Sequence, residues 1–230
     1  MHISIIIPTL NEERALPGTL ANIARCAPGC EVIIADGGSA DRTRTVAESF
    51  GALPVVWVES SKGRGTQMNA GAARATGDVL LFLHADTHLP PGTPALIEQV
   101  LRHPRTLGGF FRIAFAPCAP LADFYAGCYN IRSYFRLFYG DAALFLRREV
   151  FEQMGGYPPV PLMEDVEFIL RLRGRGKLAY IRAGTVVSSS RRFPSTAAGF
   201  KMLGVWFWLH VLMASGVAPE KLVRFYPDMR

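Results

Sequence analysis

The sequence predicts an α/β domain with a mostly parallel central sheet flanked by helices. Two observations carry that prediction. Four apolar, β-branched runs, at residues 3–8, 31–36, 53–58 and 78–86, are separated by segments that read as helices. The runs are near-continuously apolar, with no regular alternation, which is how strands covered on both faces read. Strands alternating with helices in this way form parallel units with right-handed crossovers. With 230 residues and no internal repeat or low-complexity linker, the chain is expected to be one domain over 1–230, large enough for a core without disulfides.

Taken in order, ISIIIP (3–8) is the first strand and residues 12–25 the first helix. EVIIAD (31–36) precedes a helix over 41–50, LPVVWV (53–58) precedes one over 66–75, and DVLLFLHAD (78–86) closes this half. The second half is less regular: strands GGFFRIAF (108–115) and AALFLRR (142–148), a helix over 121–139, and a Pro-rich loop into a helix beginning near Met163. In 121–139, Phe124, Cys128, Ile131, Phe135 and Phe138 recur at helical spacing, which predicts a core-facing stripe. Arg132 and Arg136 beside them leave open a basic aromatic face turned to an acceptor or a membrane.

The last segment is apolar all round. No residue between Lys201 and Glu220 carries a formal charge, and LGVWFWLHVLMASGVA (203–218) contains His210 and Ser215 as its polar members. It falls short of the roughly 20 apolar residues that a spanning helix needs. A helix over 199–218, buried or lying on a membrane surface, fits better than a span.

Composition narrows the partners. The formal charge of +6 suits an anionic small ligand or an acidic membrane surface. No run of Lys and Arg forms a nucleic-acid arm, so nucleic acid is not expected as a partner. Cys26, Cys30, Cys118 and Cys128 lack zinc-type spacing and are expected to be buried free thiols. MHISIIIPTLNEE has neither the basic start nor the cleavage site of a signal peptide, so cytoplasmic residence is the expectation.

Each early strand turns polar at its carboxyl end: Thr9, Asn11 and Glu12, then Asp36, then Glu59 with Lys62, then His84 and Asp86. Open α/β sheets bind ligands in the crevice beyond those ends. His84 and Asp86 share a parity, so on a continuing strand they would point the same way. SKGRGTQMNAG (61–71) has neither the third glycine of a dinucleotide fingerprint nor the Gly-Lys-Ser/Thr ending of a P-loop. It retains Lys62 and Arg64 ahead of a helix start, a place suited to anions. In ADGGSADRT (35–43), Asp36 can accept from the N–H of a base, or close a turn; Asp41 reads as the cap of the next helix. Glu164, Asp165 and Glu167 stand in one helical turn, where they favour the helix dipole or supply a general base.

Read together, Ile5-Ile6-Ile7-Pro8-Thr9-Leu10-Asn11-Glu12, Ala35-Asp36-Gly37-Gly38-Ser39, the 62–71 segment, His84-Ala85-Asp86 and Glu164-Asp165 resemble the ordered motifs of family 2 glycosyltransferases. In detail they resemble the small subgroup described as radical-SAM/selenodomain-associated transferases. The resemblance implies a GT-A-like (Rossmann-like) fold with a nucleotide-sugar-binding half (1–115), an acceptor and catalytic half (116–198) and the apolar C-terminal helix (199–218). It implies a nucleotide-sugar donor, often UDP-linked, a divalent cation (Mn or Mg) and inverting transfer to an acceptor hydroxyl. Pro8, Thr9, Asn11 and Glu12 would line the nucleoside pocket and Asp36 would hold the base. Asp86, with His84 beside it, would ligate the metal; Lys62 and Arg64 would assist the diphosphate. Asp165 would be the catalytic base, with Glu164 next to it. Ser190-Arg191-Arg192-Phe193 is a partial echo of the family's later Gln-x-x-Arg-Trp signature, and Arg191 or Arg192 would meet a donor phosphate. The first acid of the usual Asp-x-Asp is His84 here. That departure keeps a non-catalytic nucleotide-sugar-binding protein in view. A nucleotidyltransferase, which shares sheet, nucleotide and metal, is the other alternative, though Thr-Leu-Asn-Glu-Glu after the first strand is not its glycine- and lysine-rich loop.

Overall fold

A computed structural model describes residues 1–134, 142–193 and 195–226, without the side chains of 132–134, Arg173, Arg192, Ala214 and Glu220. The first half forms as its apolar runs predict. Strands β1 (Ile3–Thr9), β2 (Glu31–Asp36), β3 (Val55–Glu59) and β4 (Val79–Phe82) are linked by helices α1 (Leu16–Cys26), α2 (Thr43–Glu48) and α3 (Arg64–Arg74). All their pairings are parallel, in the spatial order β3-β2-β1-β4. The chain builds outward from β1 to one side and returns to its other side with β4. The gap between β1 and β4 is therefore the topological switch point, where such sheets bind ligands.

The sheet as a whole is mixed, which corrects the expectation of a mostly parallel one. β7 (Phe145–Arg147) runs antiparallel between β4 and β6 (Thr106–Ala116), and β5 (Thr87–His88) is antiparallel to β8 (Lys177–Ser189). β6 and β8 are parallel. Apolar composition reports that a strand is covered on both faces but carries no information on its direction. The run 78–86 also ends sooner than expected, since β4 stops at Phe82 and Thr87 N–H bonds back to His84 C=O at 3.1 Å. His84-Ala85-Asp86 is thus a turn past the strand, and strand parity does not govern it.

Other elements escaped the sequence reading. α4 (Thr93–Leu101) and α6 (Arg148–Gln153) are short, and β8 lacks clean alternation. Its pairing with β6 shifts between Phe111 and Arg112, whose partners are Ile181 and Thr185, so the chain bulges over 182–184.

One hydrophobic core runs through the sheet, from Ile5, Ile6 and Ile34 to Phe110, Phe145 and Phe168. Aromatic edges close it, with Phe82 and Tyr157 centroids 5.1 Å apart and Tyr157 and Phe168 4.6 Å apart. Cys26 and Cys30 are buried free thiols, and burial pushes Cys30 up to about 11. Cys118 is exposed and Cys128 half-buried, against the expectation for those two.

Helix α5 (Pro120–Tyr134) turns the other way from the sequence expectation. Ala122, Ala126 and Tyr129 form its buried face, while Phe124 is 62 % exposed and Ile131 60 %. The small alanines let the helix lie close to its neighbours, and the large stripe is left outside. Phe135, Arg136 and Phe138 lie outside the described residues. α7 (Glu164–Arg173) starts where expected, after Met163 in a left-handed conformation (φ 63).

α8 (Thr196–Ala214) is N-capped by Ser195, whose hydroxyl accepts from Ala198 N–H at 3.2 Å. Its inner side, Met202 and Leu209, is buried, and Leu209 packs with Met163, Val166 and Leu222 of α9 (Pro219–Leu222). Its outer side shows Phe200, Phe207, Trp208 and Val211, with Phe207 71 % exposed. Among the described residues this is the helix long and apolar enough to cross a membrane by length and composition, yet only 17 % of Thr196–Met213 is buried. Within this chain the segment is thus buried on one side only.

The pair Gly108-Gly109 is required by the sheet. A Cβ on Gly108 would stand 2.1 Å from Phe145 C=O and one on Gly109 2.4 Å from Ala179 C=O, both backbone atoms that cannot step aside. Gly108→Ala is expected to destabilise the fold by about 1–3 kcal/mol or more, read as a lower urea midpoint at unchanged slope. An unchanged midpoint would refute the close β6–β7 approach.

Candidate functional site

The site begins where β1 and β4 part. Their register runs from Ile3–Val79 to Ile6–Phe82, and Leu83 N–H makes one more bond, to Ile6 C=O at 2.9 Å. N–H and C=O of one residue point to the same side of a strand, and so do those two residues on. Pro8 therefore faces the edge that β4 has just left, where its missing N–H costs nothing. Beyond this point the two chains diverge, β1 to Glu12 and β4 to Asp86.

Arg191 spans the divergence. Its Nη1 and Nη2 donate to Glu12 Oε2 and Oε1 at 2.8 and 2.6 Å, and its Nε lies 2.9 Å from Asp86 Oδ2. The guanidinium is held above its ordinary protonation range, first by the hydrogen bonds to Glu12 and then by the charge of Asp86. Backbone geometry delivers it: β5 pairs Thr87 with Ser188, Ser189 N–H bonds to Asp86 C=O at 3.1 Å, and Arg191 follows in the turn Ser190–Arg192. The sequence reading named Arg191 without its partners, because β8, which carries it there, was not foreseen.

The floor beside this bridge is built from β1 and β2. Asp36 accepts at Oδ1 from Thr9 Oγ1 (2.9 Å) and Ser39 Oγ (2.5 Å), and at Oδ2 from Gly38 and Ser39 N–H (2.9 and 2.8 Å). Two bonds per oxygen use a carboxylate's full acceptor capacity. Asp36 thus closes the turn, instead of offering an acceptor to a base as expected from its strand-end position. Asn11 (φ 56) belongs to the same turn: its N–H bonds to Ser39 Oγ and its Oδ1 accepts from Ala40 N–H, both at 2.8 Å. Asp41 accepts from Thr43 N–H at 2.9 Å and so serves the first turn of α2. Gln67, which sequence reading passed over, is buried and donates to Thr9 C=O at 2.6 Å and Ala35 C=O at 2.9 Å. A Cβ on Gly37 would meet Gln67 at 2.9 Å, so this position admits glycine. The only outward signal of Gln67 is its place one turn into α3.

The acid pair stands at the head of α7. Glu164 is 3 % and Asp165 6 % exposed. Arg64, the first residue of α3, pairs through Nε with Glu164 Oε1 and lies through Nη2 3.5 Å from Asp165 Oδ1. Val166 N–H also bonds to Asp165 Oδ1, at 2.9 Å. Because α3 follows the carboxyl end of β3, this contact puts the acid pair at the same edge of the sheet as the crevice. A Cβ on Gly65 would lie 3.2 Å from Glu164 Cγ, so a glycine lets α3 and α7 approach. Burial raises Tyr157, and the carboxylates of Asp165 and Glu164 raise it further. Arg64 was expected at the diphosphate; the structure commits it to the acids, since two buried carboxylates need a counter-charge. Lys62 is exposed just before α3 and His84 half-buried in its turn. The side chain of Arg192 lies outside the described residues.

Among the described residues, no three His, Cys, Asp or Glu side chains gather into a metal site of their own. A cation carried on substrate phosphates needs only one or two protein ligands. Asp86, with His84 two residues before it, fits that need, and the Arg191 guanidinium shows that the corner accepts positive charge.

Comparison with known proteins agrees with this geometry. The chain is 43 % identical over 91 residues to "PGL/p-HBAD biosynthesis glycosyltransferase" of Mycobacterium bovis, a match covering 37 % of this chain and 36 % of that protein. Its fold is that of the mannosyltransferase PcManGT from Pyrobaculum calidifontis, solved with GDP-Man and Mn2+, at TM-score 0.69 and 21 % identity over 93 % of this chain and 64 % of that one. S. aureus TarS 1-349 with UDP-GlcNAc gives TM-score 0.64 at 17 % identity, over 83 % of this chain and 59 % of that one. The chain thus spans under two thirds of each of these proteins and has a GT-A-like glycosyltransferase fold with a mixed sheet. Residues 4–117, which run from β1 through β6 and include the crevice, match the model of Glycosyl transferase family 2.

Proposed function

We propose that the chain is a family 2 glycosyltransferase that moves a sugar from a nucleoside-diphosphate sugar, UDP-linked, to an acceptor hydroxyl with inversion. The resemblance of its motifs to the radical-SAM/selenodomain-associated subgroup supports this reading. The observation that supports this reading furthest is the gathering of two acid stations on one sheet edge. Glu12 and Asp86 stand over the switch point, and Glu164 with Asp165 stands at the head of α7. Neighbours of the same fold were solved with UDP-GlcNAc and with GDP-Man and Mn2+.

In this reading Pro8, Thr9, Asn11 and Glu12 form the nucleoside floor, and Asp36 holds that floor in shape through Gly38 and Ser39. Asp86 and His84 would hold a divalent cation, which when bound supplies positive charge to the departing diphosphate. Lys62, exposed at the mouth, adds charge for the phosphates. Asp165 takes the proton of the acceptor hydroxyl as its oxygen attacks the anomeric carbon. Arg64 and Val166 N–H fix the Asp165 carboxylate in one orientation.

The protein resides in the cytoplasm and rests on the inner membrane face. Residues 200, 207, 208 and 211 fall on one side of α8, and α5, packed against it, adds Phe124 and Ile131. Exposed Lys201, Lys221 and Arg224 accompany this apolar face, the composition of a surface that binds anionic lipid.

Two measurements test these assignments. Asp165→Asn should keep donor affinity, read as the thermal shift given by UDP-sugars with Mn2+ or Mg2+, while transfer falls roughly 10²–10⁴-fold. Wild-type transfer by that variant would remove Asp165 as the base. In the second, the protein should sediment with vesicles containing phosphatidylglycerol, and Phe207→Ser with Trp208→Ser should weaken that binding roughly tenfold or more. Equal sedimentation of both proteins would end the membrane assignment.

A further inference from the structure

The crevice contains its own cation. Arg191 places all three of its donating nitrogens on two carboxylates that arrive from different strands, Glu12 after β1 and Asp86 after β4. We propose that Arg191 is a resident counter-ion: it latches the switch-point crevice in the donor-free protein and competes with the divalent cation for Asp86. This rests on the reading of Asp86 as the cation's ligand.

The geometry makes the competition direct. Arg191 Nε lies on Asp86 Oδ2 at 2.9 Å. A metal ion on that carboxylate would stand a few ångströms from the guanidinium, and like charges at that distance repel. The two cations therefore exclude each other from one oxygen. The fork to Glu12 keeps the guanidinium in the crevice mouth even when Asp86 is given up. A diphosphate entering with the metal offers it new acceptors in the fork geometry that guanidinium matches.

The segment carrying Arg191 is suited to such an exchange. The Arg191 side chain is 49 % exposed while Glu12 and Asp86 are largely buried at 14 and 12 %, so the guanidinium has a water-facing side from which it can leave. It stands in a single turn, Ser190–Arg192, between the anchored end of β8 and the Ser195 cap of α8. Ser189 N–H stays bound to Asp86 C=O, so the backbone need not leave for the side chain to move.

The consequence is an order of binding. Metal alone meets a competitor, whereas metal with a nucleoside diphosphate meets a displaced guanidinium that now contributes to holding the donor. Metal and nucleotide thus bind with positive coupling, and the coupling passes through Arg191.

The test uses Mn2+ and UDP on the full chain, with free Mn2+ read by electron paramagnetic resonance and no sugar transfer required. Arg191→Ala should bind Mn2+ without nucleotide roughly tenfold more tightly than wild type, and Arg191→Lys should fall between them. UDP should raise Mn2+ affinity more in wild type than in Arg191→Ala. Adding Asp86→Asn to Arg191→Ala should abolish the gain. If Asp86→Asn weakens Mn2+ binding but neither Arg191 variant strengthens it, the latch is wrong and the metal ligand stands. If Mn2+ binds wild type and Asp86→Asn equally, or binds no variant with or without UDP, the latch falls together with the assignment of Asp86.

Discussion

The parting of β1 and β4 after Ile6–Phe82 is the constraint on which the site depends. Up to that pair the two strands satisfy each other's backbone. Past it, each must find other partners, and the partners found are the site. On the β4 side, Asp86 C=O goes to Ser189 N–H; on its other side the β1 chain stays with the segment after β2, where Thr9 C=O meets Gly37 N–H and Gln67 and the turn around Asn11 meets Ser39 and Ala40. Pro8 belongs to this logic as well, because a residue without N–H stands at the first position whose donor would have had no strand to meet. A crevice lined by polar groups is the cheapest way to end an inner ladder of a sheet, since buried backbone groups left unpaired are costly.

Charge is arranged around the crevice by the same economy. Among the described residues, Arg191 faces Glu12 and Asp86, and Arg64 faces Glu164 and Asp165. The two are not equivalent. Arg64 meets carboxylates that are almost wholly buried, and taking away one partner of such a pair costs about 3–5 kcal/mol, so this arginine is fixed structure. Arg191 is half in water, although Glu12 and Asp86 beneath it are largely buried. One station is held by a mostly buried arginine; the other is the one at which the proposed exchange of cations takes place.

What the sequence displayed follows the same physics. The first-half strands and helices were legible because burial on both faces writes itself as an unbroken apolar run, as in ISIIIP and EVIIA. Residues at strand ends, Glu12 and Asp86 among them, were legible because polarity appears where the run stops. Strand direction was not, as β7 and β5 show, because a buried strand is equally apolar either way. Nor was Asp36's commitment to its own turn, because an acid before Gly-Gly-Ser reads alike whether it accepts from the loop or from a ligand. The face of α5 is not legible either, because large apolar residues at helical spacing read as core, whereas Ala122 and Ala126 lie on the buried face. Gln67 and the Arg191 bridge depend on contacts 58 and 179 residues apart, and no local pattern encodes those.

α8 joins the two ends of the site. Its first turn is capped by Ser195, four residues after Arg191, and Leu209 on its inner side packs on Met163 and Val166, which flank Glu164 and Asp165. Its outer side is the exposed apolar face. A helix that starts beside the turn of Arg191 and packs its inner face on the residues flanking Glu164 and Asp165 has two contacts that a shift of the helix would move together. The all-round apolar sequence of α8 thus divides in the fold: the inner residues pack on Met163 and Val166, and the outer ones form an exposed apolar face. If the proposed membrane contact holds, the side of α8 that meets lipid and the side packed beside Glu164 and Asp165 belong to one element.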